Sequence, residues 1–209
     1  HSEWMRTCDY LYEELKNEDR PDVVLSIASL LHNIPEDSIL VTDIGNNEFW
    51  VSRACVLNRQ KNRTLYSKSF CALGNGLGKA IGAYYATRKP VVCFIGDQGL
   101  QMNIQELQNI VQNNLPITVV LLNNQTSGMI RDREIHRYKG KCVHTTKDSG
   151  YVTPNFERIV REYGLDSSHF IELSVDGNLE LSPQLPKGNP VQKMTPLLEE
   201  TKYEKLNEL

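Results

Sequence analysis

Two short apolar runs, Val91 to Ile95 (VVCFI) and Ile117 to Leu122 (ITVVLL), do most to restrict how this chain folds. The first runs into Gly96-Asp97 and the second into Asn123-Asn124. Between them Leu100, Ile104, Leu107 and Val111 recur at helical spacing. A strand, a helix and a second strand in this order form a parallel βαβ unit, since parallel strands need a long crossover between them. Runs without polar alternation are expected where a strand is covered on both faces. A carboxylate and a carboxamide would then sit at the carboxyl ends of neighbouring strands, where open α/β sheets build their sites.

The flanking chain repeats the pattern. Val24, Ile27, Ala28 and Leu31 mark a helix opened by Pro21 and stopped by Pro35, and Ser38 to Thr42 (SILVT) is a strand leading into Asp43-Ile44-Gly45-Asn46-Asn47. A helix through Trp50 and Cys55 follows, then a polar connection over 58–69. Next comes a small-residue helix from Leu73 to Ala86 (LGNGLGKAIGAYYA). Residues 129–150 are dense in charge and without period, which predicts a mobile loop. Pro154 to Tyr163 is a helix closed by Gly164, and Phe170 to Val175 (FIELSV) a last strand. Residues 1–20 read as a linker or frayed helix continuing from an upstream region, 21–175 as the binding domain, and 176–209 as an irregular tail with a terminal helix. The fold class is α/β: three layers, α/β/α, around a mainly parallel sheet.

Composition excludes several functions. A 40% hydrophobic, 23% charged chain with net charge −3 and no Lys/Arg block has no surface for nucleic acid. No apolar run approaches the roughly 18 residues of a membrane span. The cysteines are five, scattered, and without a C-x-x-C pair, which points to a reducing, cytoplasmic setting rather than a disulfide framework or zinc site.

The paired strand ends suit a particular chemistry. Mg²⁺ takes near-octahedral oxygen ligation and shares its sphere between one or two protein groups, phosphate and water. Asp97 offers a carboxylate oxygen, Asn124 a neutral amide oxygen, and the turn after it a backbone carbonyl, expected at Thr126. The amides of Gln98 and Gly99 open a helix and suit a phosphate. The first strand end, Asp43 to Asn46, is placed to cradle the same diphosphate.

These pieces resemble the pyrophosphate-binding domain of thiamine diphosphate enzymes, with GD-G followed by NN; here Asp97 and Asn124 stand 27 positions apart. TDIGNNEFW, LGNGLGKAIGA (family GFGLPAAIGA), QMNIQEL and KGNPVQKMTPLL extend the likeness from about Pro21 to Leu198, nearest the acetolactate synthase branch. The resemblance implies Mg²⁺ ligation by Asp97, Asn124 and the Thr126 carbonyl. Cofactor contacts are implied at Gly45, Asn46, Asn47, Gly96, Gln98, Gly99, Gly128 and Met129. Leu73 falls where a large apolar side chain holds the cofactor bent, and the Cys71 carbonyl where its amino group is accepted. The implied reaction is thiamine diphosphate-dependent decarboxylation or carboligation of a 2-keto acid. It needs a glutamate from a pyrimidine-binding domain of the same or another subunit, so the chain alone is expected to be inactive. A homodimer or homotetramer is implied for the full-length enzyme.

Departures and rivals stand beside this. Gln98 replaces the second glycine of GDG, which is tolerable if its φ stays negative. Lys79 stands in place of the landmark's usual proline of GLP, with no obvious consequence. Arg133 stands where acetolactate synthases carry a specificity tryptophan, and is expected to contact an acidic substrate or to be simple surface charge; Asp132 replaces a glutamine. His136 and His144 are solvated loop histidines or substrate contacts, and Cys71 and Cys93 buried apolar residues. Gly74 to Lys79 lacks the final glycine of a dinucleotide-binding fingerprint and cannot be a P-loop. A two-chain 2-keto acid decarboxylase of the sulfopyruvate type, a non-catalytic interaction domain and a Rossmann-type domain are the alternatives.

Overall fold

The computed structural model describes residues 2–17, 20–67, 70–185, 188–190 and 193–208. Parts of the linker, of the 58–69 connection and of the KGNPVQKMTPLL landmark lie outside the described residues. Five parallel strands form one sheet: β1 (Ile39–Thr42), β2 (Thr64–Leu65), β3 (Val91–Gly96), β4 (Ile117–Asn123) and β5 (Phe170–Ser174), in the order β2-β1-β3-β4-β5. β3 and β4 pair from Val91↔Ile117 to Gly96↔Leu122, so Asp97 and Asn123-Asn124 leave the sheet side by side.

Period-2 alternation within these buried strands sends their residues to two cores. Ile39, Val41, Val91, Cys93, Ile95, Val119 and Leu121 pack on one face against α4 (Gly76–Thr87), α5 (Asp97–Met102), α6 (Glu106–Gln112) and α8 (Phe156–Glu162). Leu40, Val92, Phe94, Val120 and Leu122 point the other way, against α2 (Asp22–His32) and α3 (Asn46–Leu57). Val24, Ile27, Ala28 and Leu31 are the buried stripe of α2, as their spacing predicts. The expected three-layer α/β/α fold is therefore present.

Four local expectations are corrected. Residues 129–150 are not a mobile loop, because α7 (Gly128–Arg137) and a 3₁₀ turn (Lys147–Ser149) occupy them. Their order comes from tertiary pairing: Arg131 and Asp132 form a buried ion pair, and Arg131 also reaches the Leu179 carbonyl at 3.2 Å. Glu134 accepts the Thr145 hydroxyl at 2.5 Å and the Val143 amide at 3.3 Å, holding the following segment against the helix. The 58–69 connection contains β2, which pairs with β1 through Leu40↔Thr64 and Val41↔Leu65. The helix after Asp97 is two helices, divided at Asn103, whose side-chain amide donates to the Gly74 carbonyl at 2.8 Å instead of facing solvent. Cys71 is exposed rather than buried; Cys93 is fully buried, and none of the five cysteines is in a disulfide.

Residues 2–15 form α1 (Ser2–Leu15), which buries no side chain and leaves Trp4 67% exposed. The tail is tied to the body by Arg53, which donates to the Ser182 carbonyl at 2.8 Å, and it ends in α9 (Glu200–Asn207). No helix among the described residues is long and apolar enough to cross a membrane.

Candidate functional site

One cavity of about 230 Å³ opens at the carboxyl ends of β1, β3 and β4. Asp43, expected in the diphosphate cradle, lies beneath it with its carboxylate turned to the Gly74 amide. The other residues expected to touch cofactor or metal line it: Gly45, Asn46 and Asn47 from the β1–α3 turn, and Cys71 and Leu73 from the segment before α4. Gly96, Asp97, Gln98 and Gly99 come from β3–α5, and Asn124, Thr126, Gly128 and Met129 from β4–α7. Arg133 and His136, exposed on α7, and His144, exposed in the segment after it, lie outside the lining; His136 pairs with Glu180 at 2.9 Å.

Asp97 is 3% exposed. Its Oδ1 accepts the Gln98 amide at 2.9 Å, while Oδ2 is buried without a partner. Burial raises its pKa to about 6 against the lowering effect of that amide. The Tyr151 hydroxyl faces this carboxylate but does not reach hydrogen-bond geometry, and burial raises its own pKa. Asn124 turns its Oδ1 to the Thr126 amide at 3.3 Å, and the Thr126 carbonyl accepts the Gly128 amide at 2.8 Å, so each oxygen keeps a second lone pair. Gln98 has no positive φ, so glycine is not required there, and its Oε1 accepts the Ser127 hydroxyl at 2.8 Å, joining the two strand ends across the cavity.

The opposite wall is also short of partners. Both polar atoms of the Asn46 side chain and Asn47 Oδ1 are buried and unbonded. A Cβ at Gly128 would stand 2.9 Å from Asn124 Nδ2 and 3.0 Å from Asn46 Nδ2, so a larger residue there would push on both amides. Buried polar atoms in native proteins nearly always have partners. A cluster of orphans around one cavity is what a polar ligand would satisfy. No group of three His, Cys, Asp or Glu side chains that could hold a metal occurs among the described residues. One carboxylate among neutral oxygens suits a hard cation that takes its remaining ligands from phosphate and water.

Beneath the cavity lies a buried polar network that the sequence did not announce. Asp43, fully buried, accepts the Gly74 amide at 2.8 Å on Oδ2, fixing the segment that carries Leu73; burial raises its pKa. Glu48 accepts the Ser67 amide at 2.9 Å, and Lys79 donates to the Thr42 carbonyl at 2.7 Å and to the Ser67 hydroxyl. Lys79 thus has a consequence: it ties α4 to the end of β1. Aligned on Leu77 and Ala80 to Ala83, Gly78 rather than Lys79 takes the place of the landmark's proline.

Comparison with known proteins agrees with this geometry. The family model for the thiamine pyrophosphate enzyme, C-terminal TPP binding domain, matches residues 43–191. The chain belongs to that family. Its relatives include the acetolactate synthase large subunit of Porphyra purpurea, 32% identical over 135 residues, which are 64% of this chain and 22% of that protein. The isozyme 1 large subunit of Escherichia coli is 31% identical over 166 residues, 79% of this chain and 28% of the relative. For its isozyme 2 large subunit the identity is 29% over 173 residues, 80% and 31%. The chain therefore spans less than a third of the length of these relatives. As a thiamine pyrophosphate-binding domain it is not a Rossmann domain; its glycine-rich segment follows the two-residue edge strand β2, not a central first strand.

Trp50, Ser127 and Tyr151 are the site residues that sequence reasoning missed. Trp50 lies four residues after Asn46 on α3, a spacing that puts both on one helix face and was a usable signal. Tyr151 had none, because only the packing of the 143–151 segment brings it to Asp97.

Proposed function

We propose that this chain is the diphosphate-binding half of a thiamine diphosphate- and Mg²⁺-dependent 2-keto acid decarboxylase or carboligase. The observation that carries the reading is the convergence of Asp97 Oδ2, both Asn46 side-chain atoms and Asn47 Oδ1, all buried and unpartnered, on one cavity. Asp97, the Asn124 amide oxygen and the Thr126 carbonyl would hold Mg²⁺. Asn46, Asn47, Gln98, Gly99 and Gly128 would surround the diphosphate, with Gly45, Gly96 and Met129 completing the lining. Leu73 would support the bend of the cofactor and the Cys71 carbonyl accept its amino group.

Thiamine diphosphate, when bound, supplies the carbanion that adds to a keto carbonyl and takes up the electron pair released with CO₂. The chain's own part is binding and orientation. Asp43 and Asn103 grip Gly74 from two sides and so fix Leu73. The Ser127–Gln98 bond keeps the two strand ends in register. The proton-transferring glutamate belongs to a pyrimidine-binding domain of the same or another subunit. Arg133, exposed near the rim on α7, would meet an acidic 2-keto acid once that domain is in place.

Calorimetric titration of Mg²⁺ and thiamine diphosphate into the chain together with its pyrimidine-binding partner tests this. Saturable, Mg²⁺-dependent binding that is lost in Asp97→Ala is expected. Identical heats in both proteins would leave a non-catalytic interaction domain on this fold.

A further inference from the structure

The α3 face that carries Asn46 also turns Trp50 to the cavity. Trp50 is 2% exposed, and its indole Nε1 is buried without an acceptor. An indole nitrogen can only donate, so its partner must be an acceptor. The ring body is held in the core with Val51, Phe94 and Leu122, so it cannot turn its N–H to bulk water. A buried donor in this position is costly unless something fills it.

The lining favours an anion as that partner. Trp50 Nε1 and Asn46 Nδ2 are neutral donors without acceptors, and among the described residues no Lys or Arg lines the cavity. Buried neutral donors on a cavity wall are suited to an anion whose charge is balanced by a cation at the Asp97 end. We propose that Trp50 is a cofactor-binding residue whose indole N–H donates to an oxygen of a metal-bound organic diphosphate, beside Asn46. This rests on the diphosphate-site reading above and adds to it a specific donor.

The 209-residue chain has two tryptophans, so its ¹⁵N–¹H spectrum has two indole signals. Trp4→Phe, at an exposed position, assigns them. Mg²⁺ with inorganic pyrophosphate is then titrated in. The Trp50 indole proton is expected to move downfield and to exchange more slowly with solvent. Trp50→Phe is expected to bind pyrophosphate about tenfold more weakly, or about 1.4 kcal/mol. Shifts of the Gln98 and Gly128 backbone amides with an unmoved indole signal would overturn the Trp50 role and leave the site standing. No response anywhere would overturn both. If Trp50→Phe does not fold, the indole signal in the Trp4→Phe chain decides alone.

Discussion

Gly99→Ala should damage the molecule out of proportion to one methyl group. A Cβ there would lie 2.1 Å from Asp43 Oδ2 and 3.2 Å from Ile95 Cγ1. Asp43 is fully buried at the end of β1, and the same Oδ2 accepts the Gly74 amide at 2.8 Å, so it cannot retreat without releasing Gly74. Losing a hydrogen bond to a charged group costs about 1.5–3 kcal/mol, and overpacking adds roughly 1–3 kcal/mol. Replacing a helical glycine by alanine returns only about 0.4–1 kcal/mol. The net loss is about 2–5 kcal/mol, a large share of the roughly 5–15 kcal/mol that stabilises a typical domain. Urea unfolding followed by circular dichroism gives the number. Gly78→Ala on α4 is the control, since a Cβ there meets nothing within 4 Å; it should be neutral or stabilise by up to about 1 kcal/mol. If Gly99→Ala unfolds within 1 kcal/mol of the wild type, the reasoning from close approach is wrong.

Three further outcomes are expected. Asp97 has a folded pKa raised to about 6 from 3.8, so without metal the folded chain holds a proton that the unfolded chain has released. Stability should therefore fall as pH rises through that window, by roughly 3 kcal/mol at ~1.36 kcal/mol per pH unit. Asp97→Asn should flatten the slope in metal-free urea melts between pH 4 and 8; an unchanged slope would show that another group causes it. Asp132→Ala strands the Arg131 guanidinium, 3% exposed, and should cost about 3–5 kcal/mol, read as a lowered urea midpoint. Glu134→Gln weakens the Thr145 and Val143 contacts; hydrogen exchange at 143–151 should speed up while that of β3 and β4 stays put.

The central βαβ unit and its clamp could be read from the chain because their signals are local. Unbroken apolar runs fix β3 and β4, and Asp97 and Asn124 follow them directly, so sequence order alone put both at one end of the sheet. The glycines at 99 and 128 were placed by their motif, though why they must be glycine shows only when Asp43 and Asn124 are seen beside them. Other features depended on contacts between distant residues. α7 looked like a charged loop because its buried face is Arg131 and Asp132, polar residues whose burial depends on each other and on carbonyls nearly fifty positions away. β2 is two residues of edge strand, too short for any period, and it exists because β1 is there to pair with. Asn103 breaks the helix after Asp97 because Gly74 offers it a carbonyl. Periodicity reports which face of an element is apolar, and so it determined the layers. Polar partners brought together by folding leave no period in the sequence, so the contacts of Asp43, Lys79, Glu134 and Tyr151 became visible only in the tertiary structure.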